Sequence, residues 1–278
     1  MNAFFSHIDR AKAGSVALFG LPTDGNASFL RGAARAPDLI RKALQSESSN
    51  LCAENGIELT AESGFVDFGN LDIGSSAKAI DSITAAVTRL LAYNLRPVAL
   101  GGDHSITYPI LRSFAAAHKA PTVLQFDAHP DLYDTFDGNR YSHACPFARI
   151  MEEKLVSRLI QVGIRAANAH QRQQAKRFGV EMLEMHFHSE PVELRLSGPV
   201  YVSIDMDVLD PAFAPGVSHP EPGGMTTRQV LDIIHRIRVP IAGADIVECN
   251  PDRDLGEITV RTAAKLLKEI AGSMLSAG

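Results

Sequence analysis

Histidines and carboxylates are gathered in four short segments of the chain. They are Gly101-Gly102-Asp103-His104-Ser105, Asp127-Ala128-His129-Pro130-Asp131, Ile204-Asp205-Met206-Asp207-Val208-Leu209-Asp210-Pro211 and Glu248-Cys249-Asn250-Pro251. Asp127, His129 and Asp131 stand at i, i+2 and i+4, and Asp205 and Asp207 repeat that spacing. In an extended chain such residues share one face. With His104 they supply two imidazoles and four carboxylates. Four carboxylates buried together without a cation would repel one another and mostly protonate. Two divalent ions would balance the charge. The donors are oxygen and imidazole with no thiolate, which favours a hard or borderline ion such as manganese over structural zinc. Six side chains serving two ions imply shared carboxylates and positions left open to water. Water held between two cations ionises near neutral pH. The chemistry in prospect is hydrolysis.

Such groups need a scaffold that aims them at one place. Each segment follows an apolar run: Pro97-Val98-Ala99-Leu100, Thr122-Val123-Leu124-Gln125-Phe126, Val200-Tyr201-Val202-Ser203-Ile204, and Ile241 to Val247. Val16-Ala17-Leu18-Phe19 and Leu159-Ile160-Gln161-Val162 are similar runs. Continuous apolar runs of this length suit strands buried on both faces. Between them lie helical patterns. Ile80, Ile83, Val87, Leu90 and Leu91 fall on one helical face, as do Val260, Ala263, Ala264, Leu267, Ile270 and Ala271. Thr226 or Thr227 is placed to cap a helix carrying Val230, Ile233 and Ile234. Alternating strands and helices predict an α/β fold, a parallel sheet with helices on both faces. Ligands of such sheets bind beyond the carboxyl ends of the strands, where the four segments lie.

The 278 residues include 45% hydrophobic ones, enough for a sizeable core, and no linker or repeat divides them, so one domain over 1–278 is expected. With 21% charged residues the chain is not a highly charged disordered one. A net charge of −5 argues against a nucleic-acid partner. Nothing approaches the ~18 apolar residues that span a bilayer. The first residues, MNAFFSHIDRAKAG, lack the basic and apolar regions of a secretory signal. Cys52, Cys145 and Cys249 are too widely and irregularly spaced for a disulfide framework or a zinc site, and read as free thiols of a reducing compartment. A cytoplasmic protein is therefore expected.

These segments resemble the metal motifs of the ureohydrolase family, the arginases, agmatinases and their relatives. Leu18-Phe19-Gly20-Leu21-Pro22, Ser28 to Ala33 and Ala36 to Arg41 are similar to that family's opening segment. Asp127 to Asp134, Gly138 to Glu153 and Asp210 to Gly224 most resemble the plant-type arginases. The resemblance implies a three-layer αβα fold with a mainly parallel sheet of roughly eight strands, and a centre of two Mn2+ ions. It assigns His104 and Asp131 to one manganese, His129 and Asp207 to the other, and Asp127 and Asp205 to both. A hydroxide bridging the ions would attack the carbon of a guanidino group. His143 would shuttle protons and Glu248 would hold the guanidinium. Asn139 and His219 are candidates for reading the far end of the substrate. Asp103 and Asp210, beside the ligands, are expected to orient them. Arg165, Asn168 and the histidines at 7, 118, 170, 186, 188 and 235 carry no ligand or catalytic spacing.

The expected reaction is L-arginine plus water to L-ornithine plus urea. Agmatinase or another guanidine hydrolase is the near alternative, because Leu132 to Asn139 differs from the substrate-reading loop of animal arginases. A binuclear phosphoesterase is more distant, since no basic cluster accompanies the carboxylates. A metal-binding regulator without activity is more distant still, because every motif position is filled. The family likeness also implies a small guanidino substrate and a homo-oligomer, a trimer or hexamer.

Overall fold

The six apolar runs all become strands, joined by two that the pattern does not announce. In the computed structural model, which describes residues 3–5, 8, 11–74, 76–118, 121–187 and 194–276, the strands are β1 (Val16–Gly20), β2 (Phe65–Asn70), β3 (Arg96–Leu100), β4 (Thr122–Phe126), β5 (Arg158–Ile164), β6 (Glu181–Glu184), β7 (Val200–Asp205) and β8 (Ile241–Val247). They form one sheet in the order β2-β1-β3-β8-β7-β4-β5-β6. Every neighbouring pair is parallel. β1, β4, β7 and β8 are buried along their whole length, hence their unbroken apolar sequences. The unannounced strands, β2 and β6, are the sheet's two edges and are only partly buried.

Successive residues of a strand face opposite sides, and two cores result. Val16, Leu18, Val98 and Leu100 pack beneath α1 (Ala36–Leu44), α6 (Thr227–His235) and α7 (Ile258–Ser276). Ala17, Phe19, Ala99 and Val123 pack beneath α2 (Ser76–Ala92), α3 (Thr107–Ala117), α4 (Pro146–Glu152) and α5 (Ala169–Phe178). The architecture is the expected αβα sandwich. Thr226 is the cap of α6, in a reciprocal arrangement with Gln229 that stabilises a helix start by about 1 kcal/mol. Among the described residues no helix is long and apolar enough to cross a membrane.

The strand order also explains where function sits. β3, β8, β7 and β4 are neighbours at the centre of the sheet. The chain runs from β3 to β4 but leaves room between them for β7 and β8. Four distant segments are thereby brought side by side at the carboxyl edge.

Candidate metal centre

His104 opens a short 3-10 turn after β3, capped by Asp103, whose carboxylate accepts the Ser105 N–H. A Cβ on Gly102 would lie 1.8 Å from the Thr23 carbonyl oxygen, so only glycine lets this connection pass. The His104 ring is fully buried. Its Nδ1 lies 3.2 Å from Asp127, 3.1 Å from Asp131 and 3.2 Å from Asp205. Its Nε2 lies 2.9 Å from the Ser203 hydroxyl. Ser203 donates its own proton to Asp245 at 2.6 Å, so its oxygen accepts from Nε2. That leaves Nδ1 of the neutral ring with a lone pair aimed at three carboxylates and no hydrogen-bond partner. A lone pair facing anions is tenable only with a cation between them. The donor set, imidazole nitrogen and carboxylate oxygen, fits a divalent ion such as manganese.

The remaining ligands come from turns rather than from a shared strand face. β4 ends at Phe126, and Asp131 takes a left-handed backbone, φ 51°. The alternation argument therefore does not hold beyond Asp127; local hydrogen bonds place the groups instead. Asp127 accepts the His129 N–H at 2.6 Å and the Gln125 side-chain amide at 2.7 Å. Asp205, at the end of β7, accepts the Asp207 N–H at 2.8 Å. Asp207 accepts the Ala128 N–H at 3.0 Å and lies 2.9 Å from His129 Nδ1. Two ligand groups result, His104 with Asp127 and Asp131, and Asp127 with His129 and Asp207. Asp127 is common to both. Burial, with the Asp127 charge nearby, raises the Asp131 carboxyl to about 6. Burial and the adjacent Asp207 and Asp127 hold Asp205 well above the usual carboxylate range. These strained ionisations are what bound cations would relieve. Because Asp245 and Ser203 fix the His104 tautomer, Ser203→Ala should weaken manganese binding roughly 10- to 100-fold. Calorimetric titration with manganese checks this, and wild-type affinity would refute it.

Glu248 follows β8 and also has a left-handed backbone, φ 61°, uncommon for a residue with a side chain. Its Oε1 accepts the His104 N–H and pairs with His143 Nδ1, both at 2.8 Å. The other ring nitrogen of His143 lies 2.8 Å from the Ser28 hydroxyl. Burial opposes the charged ring, but Glu248 outweighs it and raises His143 to about 9. His219 stands 5.1 Å from the His143 ring and 6.1 Å from the His129 ring, centre to centre. Burial and the neighbouring His143 lower its pKa. A cavity of about 180 Å³ opens onto His129, Asp131, His143, Asp205, Asp207, His219 and Glu248. Tyr133, Phe136 and Gln171, which the motifs did not single out, complete its wall.

The remaining residues bond elsewhere. Asn139 lines a neighbouring cavity, and its amide is bonded to Asn26 and to the Tyr141 N–H. Asp210 touches no ligand; it accepts the N–H groups of Ala212, Gly223 and Gly224 and ties its own loop. Asp103 binds Asn26 and Ser105 and bonds to no metal-ligand side chain. Asn168 caps α5 and reaches the Tyr133 hydroxyl. His170 stacks on Tyr133, and His118 and His235 lie elsewhere. His7 and His188 lie outside the described residues. Ser203, Asp245 and Gln125 were missed because they sit inside apolar runs. A buried polar residue within such a run is the signal that could have found them.

Residues 14–272 match the arginase family. The chain is 46% identical over 281 residues to the mitochondrial arginase 1 of Arabidopsis thaliana, covering 95% of this chain and 82% of that protein. It is 32% identical to an agmatinase of Halalkalibacterium halodurans, over 95% of this chain and 93% of the relative. The solved structure of an arginase from Medicago truncatula superimposes with a TM-score of 0.89 at 40% identity, over 98% of this chain and 91% of that one. These relatives correct the expectation of a cytoplasmic protein, since the Arabidopsis arginases are named as mitochondrial and chloroplastic proteins. Free thiols had suggested the cytoplasm, but they distinguish only reducing from oxidising compartments. The match runs through all eight strands and the histidine and carboxylate groups at their ends, and the chain belongs to the arginase family, as a ureohydrolase that acts on amidine C–N bonds.

Proposed function

We propose that the protein hydrolyses L-arginine to L-ornithine and urea, using two manganese ions held by His104, Asp127, His129, Asp131, Asp205 and Asp207. The observation that supports this best is the unpartnered Nδ1 of His104 facing three carboxylates, with Glu248 on the same cavity wall. When bound, such a pair of ions supplies a water acidified to near neutrality. The protein supplies the rest. Glu248 keeps Oε2 for the guanidinium, since Oε1 carries both of its bonds. A carboxylate pairs well with that planar, multiply donating cation. His143, protonated below about 9, holds a proton for the leaving amine. His219, its pKa lowered by burial and by His143, lines the same cavity beside His143.

One observation favours a second reading. Among the described residues no lysine or arginine lines the cavity to pair with the α-carboxylate of arginine. Agmatine, which lacks that carboxylate, is the alternative substrate. The same lack of cations disfavours a phosphate ester. Urea release from arginine, agmatine and guanidinobutyrate by manganese-loaded protein decides among them. Turnover of arginine at least ten times that of the others is expected, and preference for agmatine would reassign the substrate. Manganese uptake should weaken as the pH drops through about 6, because Asp131 of the metal-free chain then holds a proton, and activity at limiting manganese should fall with it and rise on the alkaline side. An optimum near pH 5 would contradict the proposal. The same reading takes residues 1–278 as one domain of a homo-oligomer, which light scattering would size.

A further inference from the structure

Arg165 has no motif to recommend it, yet both ligand loops of the second group are tied to it. After β5 the chain bends over the end of β4. The main-chain N–H groups of Arg165 and Ala166 both donate to the Ala128 carbonyl, at 2.9 and 3.0 Å. Ala128 lies between Asp127 and His129, and its own N–H donates to the Asp207 carboxylate. The Arg165 side chain then crosses to the other loop. Its guanidinium donates to the carbonyls of Asp207 at 2.7 Å, Val208 at 3.2 Å and Leu209 at 3.3 Å. It also reaches the Glu221 and Gly163 carbonyls. The carbonyls of 207–209 lie at and just after the end of the 3-10 turn Met206–Val208, and that of Val208 also accepts the Met225 N–H. Among the described residues Arg165 forms no ion pair with a carboxylate, so its whole fork serves main-chain oxygens.

Room is kept for this fork. A Cβ on Gly224 would lie 2.6 Å from both Arg165 Nη2 and the Asp210 main-chain nitrogen and 2.7 Å from the Leu209 carbonyl carbon, so only glycine lets the guanidinium and this loop pack together here. Lysine could not replace Arg165, since an ammonium lacks the planar fork that spans several carbonyls. The first ligand group is held by other means. His104 rests on Ser203, and Gln171 accepts the N–H of Leu132, next to Asp131.

We infer that Arg165 is a positioning residue for the second metal ion, locking Asp207 against the Asp127–His129 turn while leaving the first ion's pocket alone. The inference rests on the two-ion reading proposed above. The test is manganese titration of the full chain, with ion content measured after gel filtration and free manganese followed by electron paramagnetic resonance. Wild type should take two ions. Arg165→Met should keep the first at wild-type affinity and bind the second roughly 10- to 100-fold more weakly. Arg165→Lys should recover part of the loss. Arg165→Lys carries the test if Arg165→Met does not fold, because it should still bind the second ion more weakly than wild type. Arg172→Met, which breaks a surface pair with Glu184 on a neighbouring element, should change neither site. Two ions at wild-type affinity in both Arg165 variants, or equal weakening of both ions, would overturn this inference alone. A wild-type chain that takes up no manganese would overturn the two-ion reading and this assignment with it.

Discussion

Asp127→Ala should lose both metal ions together and reduce urea formation at least ~1000-fold, about 4 kcal/mol of barrier. The reason is its double membership. Its carboxylate stands within ligand distance of His104 and Asp131 on one side and of His129 and Asp207 on the other. Replacement of Asp131 or Asp207 removes a ligand from one group only. Asp127 is also the most firmly prepared carboxylate of the set. It accepts the His129 N–H, and the Gln125 amide fixes one oxygen. A second readout needs no substrate. Ions that bind only the folded chain stabilise it by about 2.7 kcal/mol per site at 100 times Kd. Manganese should therefore raise the Tm of wild type and leave that of Asp127→Ala unmoved. A variant that still gains stability from manganese would show that the two ions do not share this carboxylate.

The parts of the molecule differ in how far they can be read without coordinates. Strands such as Thr122–Phe126 and Val200–Asp205 are legible because burial on both faces demands an unbroken apolar run. The edges Phe65–Asn70 and Glu181–Glu184 are not, because one exposed side frees their composition. The ligands are legible because acids and imidazoles at strand ends have few other uses in such number. What holds the ligands is legible only in part. Asp103 and Asp210 look like supports from their positions in the chain; Asp103 caps the turn that carries His104, whereas Asp210 ties its own loop. Arg165 and Asp245 are supports, and the bonds from Arg165 to Asp207 and from Ser203 to Asp245 each span 42 residues. Long-range hydrogen bonds to carbonyls and hydroxyls leave no pattern in a single sequence. Asn139 is placed by a similar long-range bond: its short loop folds back on Asn26 and lines a different cavity.

Glu248→Gln should keep both ions and the fold but lower kcat/KM roughly 100- to 1000-fold, about 3–4 kcal/mol. Glutamine can still accept the His104 N–H through its oxygen. Its amide nitrogen then occupies the place of Oε2 and presents donors to a guanidinium that has only donors. The charge change also reaches His143. Burial lowers that ring, and the Glu248 charge is the largest influence that raises it to about 9. A neutral residue at 248 should let it titrate well below that. If the protonated ring serves the leaving amine, the alkaline limb of kcat/KM must move to lower pH in the variant. Stability follows the same pair. His143, raised from 6.5, contributes stability that is full below 6.5 and is lost as the pH rises through about 9. Glu248, lowered from 4.5, contributes stability above 4.5 that is lost as the pH falls. The Tm difference between wild type and variant should therefore be widest between about 4.5 and 6.5 and should shrink on both sides. An alkaline limb that stays in place, with two ions still bound, would detach His143 from proton transfer and leave Glu248 as a guanidinium anchor alone.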